Sequence, residues 1–316
     1  MILFENVNHN DIEITNNSLF ITAIGYEHRS FHLFKTHYSK LDCKNILYFI
    51  FDDYKKYPDT MDQIQRMQES GFEPVEVKYE SFDFVIDEIV KFIKLNTSKT
   101  TSLEIHIDYS AMPRSWYCRI PIEISKYLRN VDTAYFWYAE GEYPEKYEEF
   151  PSAGIDNFSF FSGKPSLKAN NNRIHVLGLG YDSIRSQAIS TVIDPSYLIS
   201  CYSFPPTRRG MQENVKKLNE QILSQSALTL ALHLDDFSFM VSKLCEIANE
   251  LLIKGDIIFI PDGPKPLILA ISLVPECLQK EGITCMHMTR HSTHYIPVDA
   301  ISTGNIYGFS FKGTIA

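Results

Sequence analysis

Five cations stand where this sequence could hold a phosphate. Arg29 and Arg185 each close a turn of glycine, tyrosine and acid, in Gly25-Tyr26-Glu27-His28-Arg29-Ser30 and Gly180-Tyr181-Asp182-Ser183-Ile184-Arg185-Ser186. Arg114 and Lys265 each follow a proline shortly after an aspartate, in Asp108-Tyr109-Ser110-Ala111-Met112-Pro113-Arg114 and Asp262-Gly263-Pro264-Lys265-Pro266. Arg290 follows the apolar run 283–288. Each group comes after a run that reads as a strand, and in open parallel sheets ligands bind beyond the carboxyl ends of the strands. Glycine permits a tight turn and close approach to the backbone. A helix that starts there offers N–H groups and a positive dipole end to an anion. The pattern predicts a phosphate-bearing ligand held by these cations, with Tyr26 and Tyr181 available to stack on bases. For an enzyme, Asp108, Asp262 or Glu27 would act as base and Lys265 would stabilise developing charge.

Each feature also has a structural explanation. The Gly-Tyr-acid-Arg turn reads equally as a salt bridge pinning strand to helix, and Asp108 as a helix cap. Lys265 stands between two prolines that fix the loop, which makes it the strongest functional candidate. Other signals point away from specific chemistries. Gly178-Leu179-Gly180 lacks the third glycine of a dinucleotide fingerprint, no P-loop occurs, and no cofactor is expected. Ser110 and Ser186 have no recognisable His–Asp relay. His287, His291 and His294 read as histidines at a strand end and in a loop near a ligand rather than as a metal site.

The elements that must position these residues come twice. The two glycine turns are offset by 155 residues and the two aspartates by 154, and Ser152-Ala153-Gly154 through Gly163 matches Ser302-Thr303-Gly304 through Gly313 at an offset of 150. Three matches in one order at nearly constant spacing predict an internal duplication. In the first copy, strands at 19–24, 45–51, 73–79, 103–108 and 132–139 alternate with helical stretches at 29–40, 58–70, 82–95 and 114–128. In the second, strands at 174–179, 197–203, 227–233, 256–261 and 283–288 alternate with helices at 183–193, 210–224, 237–253 and 265–280. Continuous apolar strands between amphipathic helices predict two tandem Rossmann-like α/β domains with mainly parallel sheets. The expected boundaries are 1–163, a polar linker at 164–172, and 173–316. The Phe-Ser-Phe runs in the tails, 150–163 and 300–313, read as extra strands or as arms lying across the other half.

Bulk properties fit a folded protein. The 316 residues are 44% hydrophobic and 22% charged, enough for two cores. A net charge of −9 argues against broad binding to DNA, which needs a basic face. The six cysteines form no C-x-x-C pair and are expected to be buried, reduced thiols. With no signal-peptide pattern and no apolar run of spanning length, the expected location is the cytoplasm, without a membrane partner.

The fourth-strand motifs carry a resemblance. An apolar strand, an aspartate, small residues and a cation opening a helix, as in Asp262-Gly263-Pro264-Lys265 and more distantly Asp108-Tyr109-Ser110 with Arg114, resemble the D-x-[ST]-G-G-T-K signature of CARF domains. Two copies in one chain are similar to the SAVED arrangement. The double glycine and the threonine of the signature are absent from both halves. The resemblance implies a sensor of nucleotides or cyclic oligonucleotides in prokaryotic antiviral defence, with the ligand at the strand ends between the two repeats and a separate effector protein as partner. The competing readings are an enzyme cleaving a phosphodiester or N-glycosidic bond of a nucleotide, and a ligand-free adaptor for an effector.

Overall fold

The computed structural model describes residues 3–97, 100–142, 152, 154–166, 172–206, 208–289 and 300–315. The strands are β1 Glu5–Val7, β2 Ser18–Ile24, β3 Ile46–Phe51, β4 Val75–Val77, β5 Glu104–Asp108, β6 Thr133–Glu142, β7 Phe158–Lys164, β8 Arg173–Leu179, β9 Tyr197–Phe204, β10 Leu228–His233, β11 Asp256–Ile260, β12 Ile283–Met288 and β13 Ile301–Lys312. The α-helices are α1 Pro58–Glu69, α2 Phe82–Thr97, α3 Arg114–Tyr117, α4 Ile120–Ser125, α5 Ser183–Ile193, α6 Arg209–Leu218, α7 Glu220–Gln225, α8 Phe237–Leu251 and α9 Lys265–Leu278.

One sheet has the order β1-β13-β6-β5-β2-β3-β4 and the other β10-β9-β8-β11-β12-β7. Read from its opposite edge, the second is β7-β12-β11-β8-β9-β10, which matches the first strand for strand once β1 is set aside. In each, five parallel strands take the Rossmann order, the first copy's β2 and β5 and the second's β8 and β11 lying side by side at the centre. The protein is a tandem pair of Rossmann-like α/β domains related by internal duplication. Local geometry repeats as well. The Gly154 amide donates to Ser152 Oγ at 3.2 Å, and the Gly304 amide donates to Ser302 Oγ at 3.1 Å.

The boundary differs from the expected one. β7 pairs antiparallel with β12, and β13 pairs antiparallel with β6 and β1. The run at 158–164 therefore completes the second sheet, and the run at 301–312 completes the first. Accordingly one compact unit comprises Ile2–Glu145 with Pro297–Ile315, and the other chiefly Lys146–Ile296. The tails are strands, each hydrogen-bonded into the other half's sheet. The physical reason lies in the fifth strands. Without its added strand, β6 or β12 would present an open edge of unpaired backbone groups. Phe309 and Phe311 bury against Phe136 of β6, with ring centroids 5.1 and 5.9 Å away.

Central strands β2 and β3 are buried along their whole length, as continuous apolar runs covered on both faces require. On one face of the first sheet Phe20, Ile24, Tyr48, Ile50 and Trp137 pack with Phe31, Tyr38 and Ile64. Three expected helices are broken. At 29–40 there is a 3-10 turn at His28–Phe31 and a π turn at Phe34–Tyr38, where Thr36 Oγ1 donates to the His32 and Leu33 carbonyls. The stretch 114–128 divides into α3 and α4, with Pro121 opening the second piece. The stretch 210–224 divides into α6 and α7 at Asn219, whose side chain turns to another carbonyl. The expected strand 73–79 pairs only over β4.

Candidate functional site

In the first domain, β2 delivers Gly25 and Tyr26 to the carboxyl edge beside β5. Arg29 follows, but its side chain is only 2% exposed. Its Nε and Nη2 both donate to Glu27 Oε2 at 2.9 Å, and its Nη1 donates to Tyr138 Oη at 2.8 Å and to the Ala139 carbonyl at 3.2 Å. The guanidinium also lies over the Tyr138 ring, 5.2 Å from the centroid. Asp108 ends β5, buried, with Oδ1 accepting the Ser110 amide at 2.9 Å. Ser110 Oγ in turn accepts the Ala139 amide at 2.8 Å. Tyr26 packs on Tyr57, with ring centroids 5.5 Å apart.

The second domain builds its edge differently. Asp182 caps α5 through the Arg185 amide at 2.9 Å, and its Oδ2 lies 3.1 Å from Arg185 Nη1. The same guanidinium grips Asp262 by both oxygens, Nε to Oδ2 at 3.1 Å and Nη2 to Oδ1 at 2.6 Å. All three side chains are buried. This fork is the bidentate geometry in which arginine binds a carboxylate most strongly. Asn219 Nδ2 donates to the Gly180 carbonyl at 2.9 Å, tying α6 and α7 to the same turn. Tyr181 is half-buried against the core that contains Leu179, Ile189 and Tyr202.

Two expectations are corrected here. Arg29 and Arg185 are not presented to solvent as phosphate clamps. They are buried and hold the Gly-Tyr-acid turns to the fourth and fifth strands, which is the salt-bridge explanation of that motif. Close approach at the second glycine turn is likewise internal. A Cβ on Gly180 would come within 2.7 Å of Gly263 Cα, and one on Gly178 would strike the Asp262 backbone. Gly263, at φ +100°, takes a backbone conformation that favours glycine. Asp262, with a guanidinium on both oxygens, is committed to positioning Arg185, which leaves neither oxygen free to take a substrate proton.

Arg114 and Lys265 keep their expected place. Pro113 (φ −63°, ψ 153°) and Pro264 (φ −66°, ψ 148°) adopt the same extended conformation, and each puts its cation at the first position of α3 or α9. Neither proline supplies a side-chain cap. Both cations are half-buried. Each stands directly beyond the buried aspartate of the fourth strand, at the point where strand order reverses. Arg290 lies outside the described residues, as do His291 and His294. His287 sits on β12, inside the expected strand 283–288, where its ring stacks on Phe161 (centroids 3.8 Å) and its Nε2 meets Ser272 Oγ at 3.0 Å. Among the described residues no group of three or more His, Cys, Asp or Glu is arranged to hold a metal ion.

Sequence reasoning missed two buried polar centres. Glu140 Oε2 accepts from Thr303 Oγ1 at 3.3 Å, Asn305 Nδ2 at 2.8 Å and Tyr307 Oη at 2.9 Å, which fastens β13 to β6 around a break in register. The signal was present, a single carboxylate at the end of the run Ala134-Tyr-Phe-Trp-Tyr-Ala-Glu140. His106 is fully buried, with Nδ1 receiving Trp137 Nε1–H at 3.2 Å and lying 2.8 Å from Tyr38 Oη. Because the indole only donates, Nδ1 is the acceptor and the ring proton sits on Nε2. Burial pushes the His106 ring down to about 3.

No family model matches the sequence, and no curated protein matches it. Among solved structures it is similar to the crystal structure of the cytoplasmic domain of a prokaryotic cation chloride cotransporter, at 11% identity, covering 87% of this chain and 96% of that one with a TM-score of 0.21. A likeness at that score assigns no activity. Among the described residues no helix is long and apolar enough to cross a membrane.

Proposed function

We propose that this chain is a nucleotide-sensing module of the CARF and SAVED kind. In this reading it takes a phosphate-bearing ligand at the carboxyl edge of its parallel sheets and reports to a separate effector in prokaryotic antiviral defence. The observation that carries the reading is the paired placement of Arg114 and Lys265. Two different loops converge on one backbone geometry, each setting a half-buried cation at the first position of a helix beside the strand-order reversal. A cation and helix-start N–H groups together suit a phosphate oxygen. Binding is favoured over turnover because the second domain's candidate base, Asp262, is committed to Arg185.

The test is a thermal-shift screen against linear and cyclic nucleotides, with products followed by mass spectrometry. A ligand that binds only the native state raises Tm. Arg114→Ala and Lys265→Ala are expected to leave the unliganded Tm within about 2 °C of the parent, since interactions of partly exposed charges contribute little to stability. Each is expected to weaken binding by roughly 10-fold or more, the worth of one charge-assisted hydrogen bond. Product formation would establish the enzyme instead. No stabilisation by any nucleotide would defeat the sensor reading.

A further inference from the structure

The six cysteines look scattered in sequence, but folding brings two of them together. Helices α8 and α9 follow the parallel strands β10 and β11, run in the same direction and pack side by side. Their contacts keep one register. Lys280 Nζ donates to Asn249 Oδ1 at 2.7 Å, and Leu252 packs at Gly282, where its Cδ1 lies 3.1 Å from the place of a Cβ. About one turn earlier on the same seam, Cys245 stands four residues before Asn249 and Cys277 three before Lys280, which sets the two cysteines level with each other across the helix pair. Cys245 is buried, Cys277 is half-buried at the end of α9, and both are reduced.

We propose that Cys245 and Cys277 form a reversible oxidation site, closed to a disulfide by peroxide. The two thiols titrate as a coupled pair, whose first proton leaves more easily than that of a lone thiol. The Cys277 sulfur, the one nearer solvent, attacks the peroxide O–O bond while its proton passes to Cys245. Cys277 becomes a sulfenic acid, and the departing hydroxide takes a proton to become water. The Cys245 sulfur then displaces the sulfenic hydroxyl, an S–S bond forms, and a second water leaves. Two thiols have reduced one peroxide. The new bond closes a loop of about 32 residues and pins α8 to α9.

The experiment treats the folded chain with hydrogen peroxide, blocks remaining thiols with iodoacetamide, denatures it and maps peptides by mass spectrometry. The expected result is a single 245–277 cross-link, a fall from six titratable thiols to four, full reversal by dithiothreitol, and a Tm raised by several degrees. Cys245→Ala should arrest Cys277 as a sulfenic acid that dimedone traps, and Cys277→Ala should leave Cys245 unmodified. Six free thiols after treatment, or cross-links joining other cysteines in comparable yield, would overturn the proposal. Should either variant fail to fold, the peptide map of the parent chain decides alone.

Discussion

Replacing Arg185 by alanine separates a structural arginine from a ligand-binding one. The guanidinium contacts Asp262 at 2.6 and 3.1 Å and Asp182 at 3.1 Å, and Asp262 has no exposed surface. At an effective dielectric of about 20, a charge pair 2.6 Å apart attracts by about 6 kcal/mol, much of it offset by the desolvation of both ions. Truncating Arg185 removes the attraction and leaves the desolvation of the carboxylate in place, so the expected loss is about 3–5 kcal/mol. For a domain of about 150 residues that is a fall in Tm of roughly 6–20 °C. Arg185→Lys should recover little of it, because one ammonium cannot reproduce the fork. The pair Arg185→Met with Asp262→Leu should recover most of it, since an apolar pair of similar volume needs no charge compensation. The assay is thermal and urea unfolding of the four proteins. An Arg185→Ala protein within 1 kcal/mol of the parent that has lost nucleotide binding would refute the argument and return Arg185 to the ligand site.

Three further outcomes follow from the packing. His106 is neutral in the fold and charged in the unfolded chain below about 6.5, so its contribution is fully present above that pH. It should be lost at about 1.4 kcal/mol per unit as the pH falls toward 3. An NMR titration of its ring with a midpoint near 6.5 in the folded protein would contradict the burial argument. Ending the chain at residue 300 removes β13, and hydrogen exchange should then show lost protection in β6 while β12 keeps its own. Loss in β12 with β6 intact would be incompatible with the strand exchange. Gly180→Ala should cost more than 1 kcal/mol through its clash with Gly263, whereas Gly25→Ala, whose nearest neighbours would be 3.8 Å from the added Cβ, should stay within about 1 kcal/mol of the parent in a urea melt.

The sequence alone determined the repeat, the α/β class and the position of most elements. Those are properties of local spacing, and a strand such as Ile46–Phe51 or a helix such as Phe82–Thr97 announces itself by the period of its own apolar residues. It also put Arg114 and Lys265 at helix starts, because a proline before the first helical residue fixes the backbone wherever it occurs. Only the tertiary structure decided which sheet each tail joins, since the edge that β7 or β13 completes is formed by a strand far away in the chain. It alone decided what the arginines do. Arg29 and Arg185 look the same as Arg114 in sequence, and their difference lies in carboxylates and carbonyls brought from 77 to 110 residues away, or from within the same turn by burial. Charge type is written in the residue, whereas the partner that cancels or exposes that charge is set by packing.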